Sequence, residues 1–207
     1  ALAMAGVAAG ASPAPRMSAG PATEAIRDTI SQVIRLLEDP TLKRPGKAEE
    51  RRRLLEKTIG NRFSYAEMAK RSLGAHWRGL TDPEREEFVT LFQRLLSKTY
   101  AHTIEGYAGE QVQYLGERVA EDFAEVRTKI ASAKVQIPVD YRLLRMDGDW
   151  RVYDVVVDGV SLVRNYRGQF SRILRSSSFA ELVEHLRKKA APDQGPDGSR
   201  RTGGGAS

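Results

Sequence analysis

Between Gln111 and Val157 the apolar residues recur at every second position, in runs spaced too closely for a helix to fit between them. Val112 and Tyr114 alternate with Gln111 and Gln113. Val126, Thr128 and Ile130 alternate with Glu125, Arg127 and Lys129. Val135, Ile137, Val139, Tyr141 and Leu143 alternate with Lys134, Gln136, Asp140 and Arg142. Successive side chains on a strand point to opposite faces, so each run predicts a strand with one apolar face. Asp147-Gly148 is a hairpin signal that leads into a fourth strand, Trp150–Val157. A parallel crossover needs roughly a dozen residues or more, and the connections here are shorter, so the strands pair antiparallel. Pro138 has no N–H to give a ladder, which points to an edge strand or a bulge.

The period changes to that of a helix on both sides of these runs. Upstream, Ile26, Ile30, Val33, Ile34 and Leu37 share one helical face that Pro40 ends. Residues 43–62 are charged, with Arg51, Arg52 and Arg53 consecutive, and Leu54, Leu55 and Ile59 predict a second helix. Ser64 with Glu67 reads as a capping box for a helix that runs to Gly74. Thr81 with Glu84, and Pro83 in the first turn, begins a longer helix to about Glu105, striped by Phe88, Leu91, Phe92, Leu95, Leu96 and Tyr100. Downstream, helices are expected at about Ser161–Arg175 and Ser178–Lys189, the second capped by Ser178 and Glu181. Helices, then sheet, then helices is an α+β class: a twisted antiparallel sheet of about four strands with helices gathered on one face. With 207 residues, 41% hydrophobic and 29% charged, one domain over 22–190 is expected. Residues 1–21 read as a signal-peptide remnant or disordered segment, and the Gly/Pro/Ser-rich residues 191–207 as a disordered tail.

Most chemistry is excluded or unsupported. There is no cysteine, so disulfides, zinc-cysteine sites and thiol nucleophiles are out. His76, His102 and His185 follow no metal-ligand spacing, and phosphate-loop, dinucleotide and nucleophile-elbow motifs are missing. Asp154 and Asp158 could form a carboxylate pair, but Asp158 belongs to a turn and Asp154 is expected to bond a neighbouring arginine or backbone group. The net charge of +6 would suit nucleic acid. Stacking platforms need exposed aromatics, however, and the alternation points Tyr141 and Trp150 inward. No nucleic-acid partner, metal or cofactor is expected. Four apolar strand faces and the helical stripes after Ser64, Thr81 and Ser161 then remain, facing one another. Periodicity cannot distinguish a filled core between them from a lined cavity.

Four stretches carry a resemblance: FSYAEMAKRSLGAHW (63–77), PEREEFVTLFQRLLSKTYAHTIEGY (83–107), IPVDYRL (137–143) and DWRVYDVVVDGVSLVRNYRGQFSRIL (149–174). In order and spacing, above all in the last stretch, the chain resembles the periplasmic phospholipid-binding component of the maintenance-of-lipid-asymmetry (Mla) transport system. That family is also known as the toluene-tolerance or auxiliary ABC-transport proteins, and the likeness spans roughly residues 22–189. It implies a cone related to nuclear transport factor 2, with the tails of a glycerophospholipid held between sheet and helices as cargo. It also implies a periplasmic monomer without enzymatic activity. Its expected partners are an outer-membrane lipoprotein/porin complex and an inner-membrane ABC transporter with its ring-forming substrate-binding protein. With that cavity expected, strand phase assigns its sheet wall to Val112, Tyr114, Val126, Ile130, Val139, Tyr141, Val155 and Val157. Helix faces add Phe88, Phe92, Leu95, Leu162, Tyr166 and Phe170, while Asn165, Arg167 and Gln169 read as helix anchors or partner contacts. An enzyme of the same cone fold, an isomerase or dehydratase acting on a small apolar substrate, is the alternative. It would have to use Asp154 with Tyr153 or Tyr166.

Overall fold

A computed structural model describes residues 20–132 and 135–191. Its centre is an antiparallel meander of β1 (Gln111–Ala120), β2 (Phe123–Ala131), β3 (Gln136–Met146), β4 (Asp149–Val157) and the two-residue β5 (Val160–Ser161). The expected four strands are present. The fifth is the chain turning back after Asp158-Gly159, which pairs Ser161 with Val156 and Val160 with Val157. Register puts the expected apolar set on one face: Val112 opposite Ile130, and Val126 opposite Tyr141, which lies opposite Val155. Pro138 lies in an inner strand rather than at an edge. Its carbonyl accepts the Asp158 N–H at 3.0 Å where β4 has already ended, so the missing N–H costs no ladder bond.

A bulge in β1 between Tyr114 and Gly116 shifts the alternation by one residue. Glu117 therefore points to the apolar face, and its carboxylate accepts the Thr23 N–H at 2.6 Å. That N–H belongs to the first turn of α1 (Pro21–Glu38), whose N-cap Gly20 supplies no side-chain bond. Glu117 does so from across the fold, placing negative charge at the helix N-terminus.

The helices do not all turn their stripes toward the sheet. α1 lies against the apolar face, where Ala22 and Ile26 pack with Ala124, Val126, Leu143, Trp150 and Val152. α3 (Tyr65–Leu73), α4 (Asp82–Glu105), α5 (Leu162–Leu174) and α6 (Phe179–Ala190) pack chiefly on one another. Their shared core holds Met68, Leu73, Phe88, Phe92, Tyr166, Phe170 and Leu182. Ring edges meet ring faces there, with Phe92 5.2 Å from Tyr166 and Phe88 5.6 Å from Phe170. Phe63, which follows α2 (Ala48–Arg62), packs against both cores. The next residue, Ser64, donates its N–H to the Val152 carbonyl at 2.8 Å.

Local signals at the helix ends read as expected with one exception. The reciprocal boxes of Thr81/Glu84 and Ser178/Glu181 are complete, and Ser161 accepts the Arg164 N–H. Ser64 accepts the Glu67 N–H, but its own N–H is spent on Val152, so that box is half formed.

Candidate functional site

Two separate cores leave a gap, and the gap is a cavity of about 640 Å³. The α1 stripe Ile26, Ile30, Val33, Ile34 and Leu37 forms one wall, with Leu55 and Ile59 of α2 beside it. The C-terminal half of α4 closes the second side through Leu96, Tyr100, Ala101 and Ile104. Val112, Ile130, Ile137, Tyr141, Val155 and Val157 of the sheet supply the third, and Phe63, Met68 and Leu162 also face the space. The elements all reach the opening at the same end: the end of α1, the start of α2, the end of α4 and the β2–β3 connection. Val135, Ile137 and Val157 are 53%, 38% and 40% exposed there, which marks this end as the mouth.

Polar groups on the lining are few and mostly tied down. Arg62 ties α2 to two other elements, donating to Thr29 Oγ1 (3.2 Å) on α1 and to the Asp149 carboxylate (2.8 Å) and Trp150 carbonyl (2.5 Å) on β4. Burial pushes the Asp149 carboxyl up, but its hydrogen bonds from Arg62 and the Trp150 N–H, with the charges of Arg62 and Arg151, outweigh it. The net result lies below the ordinary carboxylate value. Burial, and then the nearby charge of Glu56, pushes the Tyr65 hydroxyl up to about 12. Burial, and then Tyr114, also raises Tyr141. Both phenols therefore stay neutral near pH 7, so they add no charge to the wall. An apolar space of this size, with the Arg62 charge at its far end neutralised by Asp149, suits an elongated apolar ligand whose polar end stays near water. Among the described residues no three His, Asp or Glu side chains cluster as metal ligands.

Comparison with known proteins bears on what such a ligand is. The family described as MlaC protein matches residues 27–188, most of the chain. This chain belongs to the MlaC family. A relative in Haemophilus influenzae, the intermembrane phospholipid transport system binding protein MlaC, is 26% identical over 125 residues. That match covers 58% of this chain and 58% of the relative's length, so the chain spans well under two thirds of it. Among solved structures, the phospholipid-binding protein from Ralstonia solanacearum, in complex with a phospholipid, aligns with a TM-score of 0.74 at 24% identity. It covers 83% of this chain and 97% of that one, and the likeness establishes the fold.

Within this MlaC-family chain the residues assigned from sequence divide cleanly. Val112, Ile130, Tyr141, Val155, Val157 and Leu162 line the cavity. Phe88 and Phe92 do not; both are fully buried in the helical core. Leu95, Tyr166 and Phe170 lie in that core as well and border a smaller hollow of about 380 Å³ between α4, α5 and α6. Val126 is buried against Ala22 and Ile26, and Val139 is buried on the same face without reaching the cavity. Tyr114 packs beside them with the Arg27 guanidinium 4.2 Å over its ring. The α1 and α2 residues were missed as lining. Their helical stripe was visible, but nothing in a stripe says which surface covers it.

The remaining candidates make local contacts. Arg167 lies over Gly74, whose φ of +59° at the end of α3 and lack of Cβ both suit a glycine; a Cβ would stand 3.0 Å from the guanidinium. Asn165 is exposed, with Gln169 Nε2 3.5 Å from its Oδ1. The acid/base pair needed by an enzyme is not assembled at the cavity. Asp154 sits on the other face of β4, accepting bonds from the Ser161 hydroxyl (2.7 Å), the Val163 N–H (3.0 Å) and Arg142 (3.1 Å). That role is to hold the start of α5. Tyr153 meets Phe123 edge-on and carries Arg71 over its ring. No described helix is long and apolar enough to cross a membrane.

Proposed function

We propose that this chain is a periplasmic carrier of glycerophospholipid. It holds the acyl tails in the cavity between its two cores and moves lipid between an outer-membrane lipoprotein/porin complex and an inner-membrane ABC transporter. The observation that carries the reading is the apolar space of about 640 Å³ left between α1, α4 and the sheet, open at one end. Membership of the MlaC family supports it, as do the relatives named for phospholipid transport and phospholipid binding.

The energetics favour a carrier over a surface that merely touches lipid. Two tails hold on the order of 30 methylenes, and at about 0.8 kcal/mol each their exposure to water costs upward of roughly 20 kcal/mol. No head-group contact offsets that, so nearly all of both tails must be enclosed. Exchange from a bilayer into the cavity is then close to balanced, because both are apolar. Net direction comes from the partners.

Purification without detergent, solvent extraction and mass spectrometry test the reading. Glycerophospholipid is expected in the extract, together with uptake of labelled lipid from liposomes. An extract free of lipid, combined with no uptake, would sink the proposal.

A further inference from the structure

The Arg51–Arg53 run lies in the first two turns of α2, near the mouth, and its first two members converge on one carboxylate. Arg51 Nη2 and Arg52 Nε stand 3.9 Å and 3.5 Å from Glu105, in the last turn of α4. Guanidinium–carboxylate hydrogen bonds run at about 2.7–2.9 Å, so these are ion pairs whose hydrogen-bonding capacity is not taken up. Arg51 Nε and Glu105 Oε1 are in fact buried with no hydrogen-bond partner among the described residues. Natural structures rarely leave such atoms unmet. Arg51 is steadied from behind by the Leu42 carbonyl, 3.3 Å from Nη1. Arg52 and Glu105 line the cavity, and Arg52 keeps 48% of its side chain exposed. Two guanidiniums face one carboxylate at this point, although Glu56 and Glu110 also line the cavity, so the positive charge is local to the pair and the lining as a whole carries no positive excess. Of the other rim carboxylates, Glu110 accepts the Ala108 N–H at 2.8 Å, and Glu56 lies one turn along α2 from Arg52.

We propose that Arg51 and Arg52 form the phosphate-ester site of this chain, with Glu105 as the counter-charge that holds both guanidiniums at the mouth until a phosphate displaces it. The proposal rests on the carrier reading, because tails inside the cavity bring the phosphodiester of a glycerophospholipid to this point. A guanidinium fork matches two phosphate oxygens at once, which a carboxylate at 3.5 Å and 3.9 Å does not satisfy.

The test loads purified protein from vesicles containing phosphatidylglycerol or diacylglycerol with the same tails. Wild type is expected to favour phosphatidylglycerol by about tenfold, the scale of a charge-assisted bond. Arg51→Gln/Arg52→Gln should take up the two lipids equally while still accepting diacylglycerol. Arg53→Gln, on an exposed member of the same run, should behave as wild type. A double variant that keeps the preference overturns the site, as does wild type that never discriminates; both leave the carrier reading standing. Uptake of neither lipid by wild type overturns both. Arg52→Gln alone, on a half-exposed side chain, serves if the double variant does not fold; an unchanged preference there is equally fatal. Inorganic phosphate without lipid should give no thermal protection. Protection equal to that from phosphatidylglycerol would make this a free-anion site and overturn the lipid assignment.

Discussion

Arg62 illustrates how one side chain can be both lining and clamp. Its three bonds tie α2 to α1 and to the β3–β4 end of the sheet. Arg62→Met keeps the stem but strands the Trp150 carbonyl, and it should cost about 1–3 kcal/mol near pH 7. The part due to Asp149 has a definite pH sign. Its folded carboxyl titrates below the ordinary 3.8, so the contribution is full above that value and is lost as pH falls through the lower folded one. Urea unfolding should therefore give a wild-type-to-Met gap that is steady from about pH 7 down to about pH 4 and narrows below it. A gap that stays constant would mean the carboxylate is not the partner that matters.

At the scale of elements, α1 is a cavity wall whose N-terminus is held from another part of the fold. It has no side-chain N-cap, and Glu117 substitutes for one only because the β1 bulge turns that residue inward. Glu117→Ala should cost about 0.5–2 kcal/mol, as loss of a cap does. It should also raise hydrogen exchange in α1 more than in α3, α5 or α6. Uniform protection across all helices would remove Glu117 as the anchor. This dependence was hard to read in advance. Strand phase was legible because a period of two assigns a face directly, and Val112, Ile130, Tyr141, Val155 and Val157 all reach the cavity. Capping boxes were legible because both partners lie three residues apart. The bulge was not, since Leu115-Gly116 breaks the alternation without saying which residue turns inward. Helical stripes misled for a related reason: Phe88 and Ile30 both mark a buried face, but one packs in a solid core and the other faces the cavity.

For the whole molecule, the separation of two cores by a cavity means that stability and lipid capacity should be separable by substitution. Phe92 is fully buried among aromatic rings of the helical core. Phe92→Ala should cost about 3–5 kcal/mol while leaving the lining intact. Val155 faces the cavity from the sheet and packs on the edge of the α1–sheet core, so Val155→Asp sets a charge against the acyl tails and also costs that core some stability. Cargo that spans the gap binds only the folded state, and at 100 times its dissociation constant it adds about 2.7 kcal/mol. Thermal unfolding with and without phosphatidylglycerol vesicles distinguishes the two variants. Both variants should melt below lipid-free wild type, but Phe92→Ala should still rise on loading, whereas Val155→Asp should not respond. If Val155→Asp were stabilised by lipid as wild type is, the tails would have to lie elsewhere, and the space between the cores would not be the carrier's hold.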